Sequence, residues 1–218
     1  MTPEGKERSS TLSRMAHGAA ARRAAALAGH RGDVAAARRA LDDAEPDVRA
    51  TALRALVRLD HATPDLVRRA SRDGEAIVRV AACEAALHLS DSEAVAVLGP
   101  LLDEDVAPVV EAAAFAAGEL GSTAAPLLPS ITTLTRHDDA IVRETAVAAL
   151  GAIGDPAALP TILAATKDRA TVRRRAIIAL APFEGPDVEA ALIAALDDRD
   201  WQVRQAAEDQ TGRHEETP

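Results

Sequence analysis

The sequence predicts an all-α protein built as a linear array of about six helix pairs, and three observations support this. Apolar residues make up 48% of the 218 residues but aromatic residues only 1%, and a core of alanine and aliphatic side chains suits closely packed helices. The alternating runs and Asn-Gly turns that indicate strands and hairpins do not occur. One apolar pattern also recurs at intervals of 30 to 33 residues.

The recurring pattern is anchored on a valine. The anchors are Val48, Val78, Val109, Val142, Val172 and Val203, at spacings of 30, 31, 33, 30 and 31 residues. Counted from each anchor, position +4 is always Ala, and position +7 is Ala five times and then Gln210. Apolar residues at 0, +4, +7, +8 and +11 form one face of a helix. Each copy therefore predicts one amphipathic helix, which we call the anchor helix.

A second helical pattern precedes each anchor. These helices are predicted at residues 33–41, 64–71, 92–102, 124–135, 156–166 and 186–196. Asp155 and Pro156 show how such a helix begins, because Asp accepts free N–H groups and Pro at the first helical position loses no hydrogen bond. Gly121, Gly154 and Gly185 are expected to end anchor helices, where a left-handed residue is favoured. Since one pair cannot bury its own apolar face, we expect the pairs to stack.

The stretch from Val142 to Thr166, VRETAVAALGAIGDPAALPTILAAT, resembles the short HEAT-like repeat named after phycobilisome lyases. The resemblance covers roughly residues 30–210. It implies an armadillo-type α-solenoid, a right-handed α-α superhelix of HEAT-like helix pairs with the anchor helices on its concave side. Proteins of this family mostly bind other proteins and a few are enzymes, so the resemblance implies a fold rather than a task.

The predicted domain organisation is a single HEAT-like repeat domain over residues 15–211. Residues 1–14 and 212–218 are polar and unpatterned, and we expect both to be disordered tails. Residues 16–28 fit a degenerate first anchor helix that Gly29 ends. Trp201 stands two residues before the last anchor, where earlier copies have Pro or Ala. We expect Trp201 to cover the open end of the stack, with a binding role as the alternative.

Charge and composition limit the classes of partner. The net charge of −9 argues against general binding to nucleic acid phosphates. Residues 80–160 hold 2 basic and 12 acidic residues, which favours a basic partner there. Cys83 is the single cysteine, and no apolar run is long enough to span a membrane. Arg greatly outnumbers Lys, which indicates a bacterial genome. We expect a monomeric, cytoplasmic protein without nucleic acid or membrane partners.

An arginine follows five of the six anchor valines. These arginines are Arg49, Arg79, Arg143, Arg173 and Arg204, and acidic residues precede each of them by a few positions. A residue that recurs in most repeats is usually architectural, so we expect a bridge to an acid or a helix end of a neighbouring repeat. A ligand-binding ladder is the alternative. Val110 breaks the series at the third anchor, which predicts one junction without a bridge.

Binding residues are expected where the anchor helix faces away from its core. At about 100° per residue, that face comprises +2, +6 and +9, flanked by +5 and +10. Apolar side chains edged by acids at these positions favour a concave groove for a protein or peptide. The predicted groove residues are Glu84, Leu87, His88, Glu111, Phe115, Glu119, Glu144, Val147, Arg174 and Ile178. The alternative is a face kept small to permit tight curvature.

The competing class is an enzyme that uses a metal or a prosthetic group. Glu84, His88 and Glu119 occupy positions that stacking brings together, and carboxylate with imidazole suits zinc or iron. The resemblance also implies this option, since deoxyhypusine hydroxylase is a HEAT-like di-iron enzyme with paired His-Glu motifs. The only such dipeptide here, His214-Glu215, lies outside the repeats. A bilin lyase is the other option, but three aromatic residues offer little to wrap a tetrapyrrole. We favour a non-enzymatic scaffold without catalytic residues, metal or cofactor.

Overall fold

The computed structural model describes residues 18–212, which form helices joined by short turns and contain no strand. The first helix, α1, covers residues 18–31. The helices that follow are α2 (Val34–Ala40), α3 (Pro46–Arg58), α4 (Pro64–Ala70), α5 (Ala76–Ala86), α6 (Asp91–Leu102), α7 (Ala107–Glu119), α8 (Leu128–Leu134), α9 (Ala140–Ile153), α10 (Leu159–Ala165), α11 (Ala170–Ala179), α12 (Pro186–Leu196) and α13 (Trp201–Thr211). Turns of 3-10 helix at Gly121–Leu127 and Pro156–Ala158 lead into α8 and α10. The prediction of an all-α fold made of six helix pairs is confirmed.

The chain divides into two compact units, up to Leu89 and from Ser90 onward. In the second unit the anchor helices α7, α9, α11 and α13 each pack against the next one. Helices α6, α8, α10 and α12 back the anchor helix that follows each of them. In the first unit α3 packs against α5, and α2 and α4 back these two helices. The single domain over residues 15–211 stays a prediction, and both predicted tails lie outside the described residues except Gly212.

The core lies where the periodicity places it. Within residues 18–212 every anchor valine and every alanine at +4 is buried, for example Val142 and Ala146 in α9. Large aliphatic side chains at +8, such as Leu150 and Leu180, are buried as well. These residues fill the space between the two helix layers, which is where most of the apolar surface is removed from water. No helix in the described part of the chain is long and apolar enough to cross a membrane.

Glycines end several of the anchor helices and let others approach closely, whereas Gly185 does not end α11 but precedes the first residue of α12. Gly121 and Gly154 have φ values of 59° and 69°, the left-handed conformation expected after a helix. Gly29 differs from the prediction, because α1 continues through it to residue 31. A Cβ atom at Gly29 would lie 3.0 Å from the Cβ of Ala55, so this glycine permits close packing of α1 on α3. The helix ends instead at Gly32, with φ of 75°.

The arginine after an anchor links two consecutive turns. In α9, Arg143 donates from Nε and Nη2 to the two carboxylate oxygens of Asp168, at 2.8 and 2.9 Å. Its Nη1 donates to the carbonyl oxygens of His137 and Asp138, in the turn before its own helix. The same double link joins Arg49 to Asp73 and Arg173 to Asp198. Arg79 and Arg204 likewise donate to a carbonyl oxygen of the preceding turn.

These bridges shift the pKa values of both partners. The hydrogen bonds from arginine hold the pKa of Asp73, Asp168 and Asp198 below the ordinary value, partly opposed by the burial of each carboxylate. The same hydrogen bonds raise the pKa of the arginines, as for Arg143. Both partners are largely covered by neighbouring residues, so these pairs are less screened than surface ion pairs.

The junction between α7 and α9 lacks this bridge because both of its members differ. Val110 replaces the arginine and is buried. His137 occupies the position that Asp73 and Asp198 hold in their turns, six residues before the arginine that closes the turn. His137 Nδ1 accepts from the backbone N–H of Asp139 at 3.0 Å, as the aspartate oxygens do in the other turns. The arginine and the aspartate of the bridge are thus absent together, so neither member of the bridge is left without the other at this junction.

Candidate functional site

The candidate site is the exposed surface of the four anchor helices in the second unit, which we call the open face. It is formed by positions −1, +2, +6 and +10 of the repeats that contain α7, α9 and α11, and by Trp201 at −2, Gln202, Gln205 and Asp209 on α13. Successive helices pack in the same register, since Gly118 at +9 faces Ala149 at +7, and Gly151 faces Ala179 in the same way. Side chains at equal positions therefore form rows that cross the open face from helix to helix.

Large apolar side chains are concentrated on this surface. The described residues expose seven large hydrophobic side chains, and four of them belong to the open face: Phe115, Ile141, Ile178 and Trp201. Phe115 and Ile141 are 59% and 58% exposed, and Ile178 is 41% exposed. Phe115 and Ile178 share position +6, with Ala148 between them. An apolar row of this kind is not needed to hold the helices together and marks a surface that can be covered.

The charges beside the apolar row change along the face. Glu111 and Glu119 lie on α7, and within residues 18–212 neither forms an ion pair. Glu144 on α9 accepts from Arg175 Nη2 at 3.4 Å. On α11, Arg174 forms no ion pair among the described residues, and its Nε atom is covered without a hydrogen-bond partner. The open face is therefore acidic at α7 and basic at α11.

A hollow of about 730 Å³ opens between α11 and α13. Its walls include Arg174, Ile178, Trp201, Gln205 and Asp209. Trp201 is 62% exposed and is one of the residues that line the hollow. The hollow therefore combines an apolar surface with one cation, one anion and amide groups, which is the composition expected of a ligand site.

The hollow has a local cause in the sequence. At the previous junctions a glycine at +9 meets an alanine at +7, whereas α11 and α13 have Ala181 and Gln210 at these positions. Gln210 Nε2 donates to the carbonyl oxygens of Ile177 and Ile178, at 2.7 and 3.1 Å. The larger pair cannot approach as a Gly–Ala pair does, so space remains between the two helices.

Three of the predicted groove residues lie in the first unit. Glu84 is exposed on α5, but its carboxylate accepts from Arg54 Nε and Nη2 at 2.6 and 2.9 Å. Leu87 and His88 follow the end of α5 at Ala86, and His88 is exposed. Among the described residues, no group of three His, Cys, Asp or Glu side chains is arranged to hold a metal ion. Arg54 and Glu84 share position +6 of consecutive repeats, so their spacing was the signal that could have predicted this pair.

Val147 is a correction to the predicted groove. It is fully buried, so the prediction that it lies on the open face is wrong. Leu53, Ala114 and Ile177 at the same +5 position are buried as well. Position +9 was also expected on the open face, but Gly118 and Gly151 pack on the next anchor helix. The covered part of each anchor helix is thus wider than the period alone indicates. Glu111, Phe115, Glu119, Glu144, Arg174 and Ile178 are at least partly exposed in the second unit.

Sequence reasoning missed two residues of the open face. Ile141 at −1 lies only about 20° around the helix from +6, so extending the count before the anchor valine would have found it. Trp201 was expected to cover the end of the stack, but its side chain stays largely exposed and lines the hollow. A side chain that is 62% exposed covers little of the end of the stack, and the alternative of a binding role stays a prediction.

Comparisons with known proteins agree with this architecture. The chain matches the family of HEAT repeats over residues 34–118 and 111–181, and the PBS lyase HEAT-like repeat over residues 172–198. The HEAT matches span more than half of its length. The protein therefore belongs to the HEAT repeat family, and the recognition of a short HEAT-like repeat from the sequence is confirmed. A search of curated proteins finds no match.

Solved structures with the same fold include natural and designed proteins. YibA of Escherichia coli is 19% identical with a TM-score of 0.60, and the match covers 78% of this chain and 66% of YibA. A designed armadillo repeat protein in complex with the peptide (KR)4 is 17% identical with a TM-score of 0.62, covering 80% and 96%. The complex of CpcE and CpcF of phycocyanin lyase from Nostoc sp. PCC7120 is 24% identical with a TM-score of 0.59, covering 82% and 76%. These similarities show an armadillo-type solenoid fold.

Proposed function

We propose that the protein is a non-enzymatic scaffold that binds a protein or peptide segment on the open face. The observation that carries this proposal is the row of exposed apolar side chains, Phe115, Ile141 and Ile178, on helices whose other faces are already packed. Removing such surface from water contributes about 25 cal/mol per Å² of apolar area. Binding of a partner that covers the row is therefore favoured by this free energy.

The alternative of a face kept small for tight packing accounts for only part of the surface. Gly118 and Gly151 do serve close approach, because a Cβ atom on either would meet the next anchor helix. Phe115 cannot serve that purpose, since its side chain is 59% exposed and fills no space between helices. The apolar row therefore requires a different explanation, and a docking partner supplies one.

The charges of the open face favour a partner with at least one basic residue. Glu111 and Glu119 project from α7, and neither is neutralised within the described part of the chain. Acidic groups next to an apolar strip attract a basic peptide and fix its register. The designed armadillo repeat protein bound to the alternating Lys-Arg peptide is a precedent for the fold. The CpcE and CpcF complex is a precedent for binding a partner subunit.

No specific observation favours the metal-dependent or bilin-handling alternative. The Glu84 carboxylate, one of the three groups that suggested a metal, is held by Arg54 on both oxygens. A carboxylate in such a pair must lose its cation before it can bind a metal. The basic residues of the partner, the monomeric state and the cytoplasmic location remain predictions from the sequence.

The experiment is a selection from a random peptide library on immobilised full-length protein. The enriched pool is then tested against Ile178→Lys on the open face and against Ile193→Lys on α12. The two isoleucines are comparably exposed, at 41% and 52%, but Ile193 belongs to the backing layer. We expect Ile178→Lys to lose most of the binding and Ile193→Lys to retain it. A library without enrichment, or equal losses with both variants, contradicts the proposal.

A further inference from the structure

We propose that the hollow between α11 and α13 binds one acidic residue of the peptide on Arg174, next to a large apolar residue on Trp201 and Ile178. This inference rests on the proposed function and specifies the chemistry and register of the peptide. The occupant is an extended segment with a single Asp or Glu beside Leu, Met or Phe, and with a basic residue further along.

Arg174 is the cation of the hollow. In the triplet from Arg173 to Arg175, the first guanidinium is engaged by Asp198 and the last by Glu144. Arg174 forms no ion pair in the part of the chain that the structure describes, and its Nε atom is covered without a partner. A guanidinium presents parallel N–H donors that fit the two oxygens of a carboxylate. An acidic side chain is therefore the group that complements it.

The apolar part of the ligand follows from two other side chains of the hollow. Ile178 lies on α11 one turn after Arg174, Trp201 lies on α13, and both side chains are substantially exposed. The volume of about 730 Å³ exceeds the space that one side chain needs, so an acidic and an apolar residue fit together. Aromatic residues in partly enclosed sites contribute strongly to binding because they remove a large surface from water.

Asp209 restricts the number of acids. It lies on the α13 wall of the same hollow and forms no ion pair among residues 18–212. A second carboxylate on the peptide would approach Asp209, and like charges at short distance disfavour binding. The hollow therefore selects one acidic residue rather than an acidic run.

The register follows from the spacing of the anchor helices. The acids Glu111 and Glu119 lie on α7, two helix spacings away from Arg174 on α11. Packed helices are about 8–10 Å apart, which places these charges about 20 Å from each other across the face. An extended chain advances about 3.3 Å per residue. The basic residue of the peptide should therefore lie about six residues from its acidic residue.

The test uses a fluorescein-labelled peptide of twelve Gly and Ser residues in which position 3 is Lys, position 8 is Leu and position 9 is Glu. Its affinity for the full-length protein is measured by fluorescence anisotropy. We expect Arg174→Gln to weaken binding about tenfold, and the peptide with Gln at position 9 to bind wild-type protein about tenfold more weakly. When Arg174→Gln is measured with the peptide that has Gln at position 9, binding should be hardly weaker than with either change alone. Arg136→Gln, on an exposed arginine outside the open face, should leave the affinity unchanged.

A charge exchange and a spacing series complete the test. Arg174→Glu should bind the peptide with Lys at position 9 more tightly than the peptide with Glu there. For the wild-type protein, a peptide with only three residues between Lys and Glu should bind more weakly than the designed peptide. The inference is overturned if Arg174→Gln and Arg136→Gln bind all peptides alike. It is also overturned if the designed peptide fails while the library yields binders that Ile178→Lys abolishes, in which case the proposed function stands. A library that yields no binder contradicts both the proposed function and this inference.

Discussion

Arg143 holds Asp168, 25 residues later in the chain, by two parallel hydrogen bonds, while its third nitrogen closes the turn before its own helix. This geometry requires the planar fork of a guanidinium. Lysine at this position has a single ammonium group, which cannot donate two parallel hydrogen bonds to the carboxylate and also reach the carbonyl oxygens of the turn. We expect Arg143→Lys to lower the free energy of unfolding by about 1–3 kcal/mol. Urea denaturation measures this, and the exposed Arg136→Lys, which should change little, is the control.

The same bridge makes a prediction about pH. The pKa of Asp168 is lowered in the folded chain, chiefly by the hydrogen bonds from Arg143. Its contribution is therefore complete above the unfolded pKa of about 3.9 and is lost as the pH falls through the folded pKa. We expect Asp168→Asn to be less stable than wild type by about 1–3 kcal/mol at neutral pH. This difference in the free energy of unfolding between wild type and Asp168→Asn should narrow below about pH 4. A gap that stays constant or widens on acidification contradicts this assignment.

Gly151 tests the close approach of α9 and α11. A Cβ atom at this position would lie 2.6 Å from the Cβ and 2.7 Å from the Cα of Ala179, so the backbones must separate. We expect Gly151→Ala to cost about 1–3 kcal/mol, despite the better helix propensity of alanine. Gly74→Ala is the control, because a Cβ atom there meets nothing within 4 Å. The melting temperatures of Gly151→Ala and Gly74→Ala are compared with that of wild type. Equal melting temperatures for the two variants would contradict the observed packing of α9 on α11.

Ala146 and Ala148 test the assignment of the two helix faces. Ala146 at +4 is fully buried, whereas Ala148 at +6 is partly exposed on the open face. Enlarging Ala146 to Leu should overpack the core and cost about 1–3 kcal/mol. The same enlargement of Ala148 should stay within about 0.5 kcal/mol. Thermal melts compare the two variants directly. Intolerance at Ala148 with tolerance at Ala146 would mean that the faces are reversed.

The fold was predictable because its signal is periodic and local. The valine at each anchor and the alanine at +4 recur in six copies, and burial at these positions needs nothing beyond one helix and a neighbour to cover it. Gly29 shows where this reasoning fails. A glycine near the end of a helical pattern is equally compatible with a helix terminus and with close packing, and only the position of Ala55 distinguishes them.

The open face was less predictable because it depends on contacts between repeats. Val147 is buried since neighbouring helices cover more of the anchor helix than its period indicates. Glu84 is engaged by Arg54, which lies 30 residues earlier at the same repeat position. Trp201 lines a hollow that exists because Gln210 and Ala181 replace a smaller pair. Each outcome is set by a neighbour whose distance the sequence does not state.

The paired absence of an arginine and an aspartate at Val110 and His137 has a consequence for how the second unit responds to acid. The junctions from α9 to α11 and from α11 to α13 each lose the ionised carboxylate of their bridge when the pH falls, whereas the junction from α7 to α9 has no such bridge to lose. Acidification should therefore loosen the C-terminal junctions first and spare the early one, an order that amide hydrogen exchange would reveal. The part of the open face around Phe115 should keep its structure at a pH at which the walls of the hollow at Trp201 have already separated.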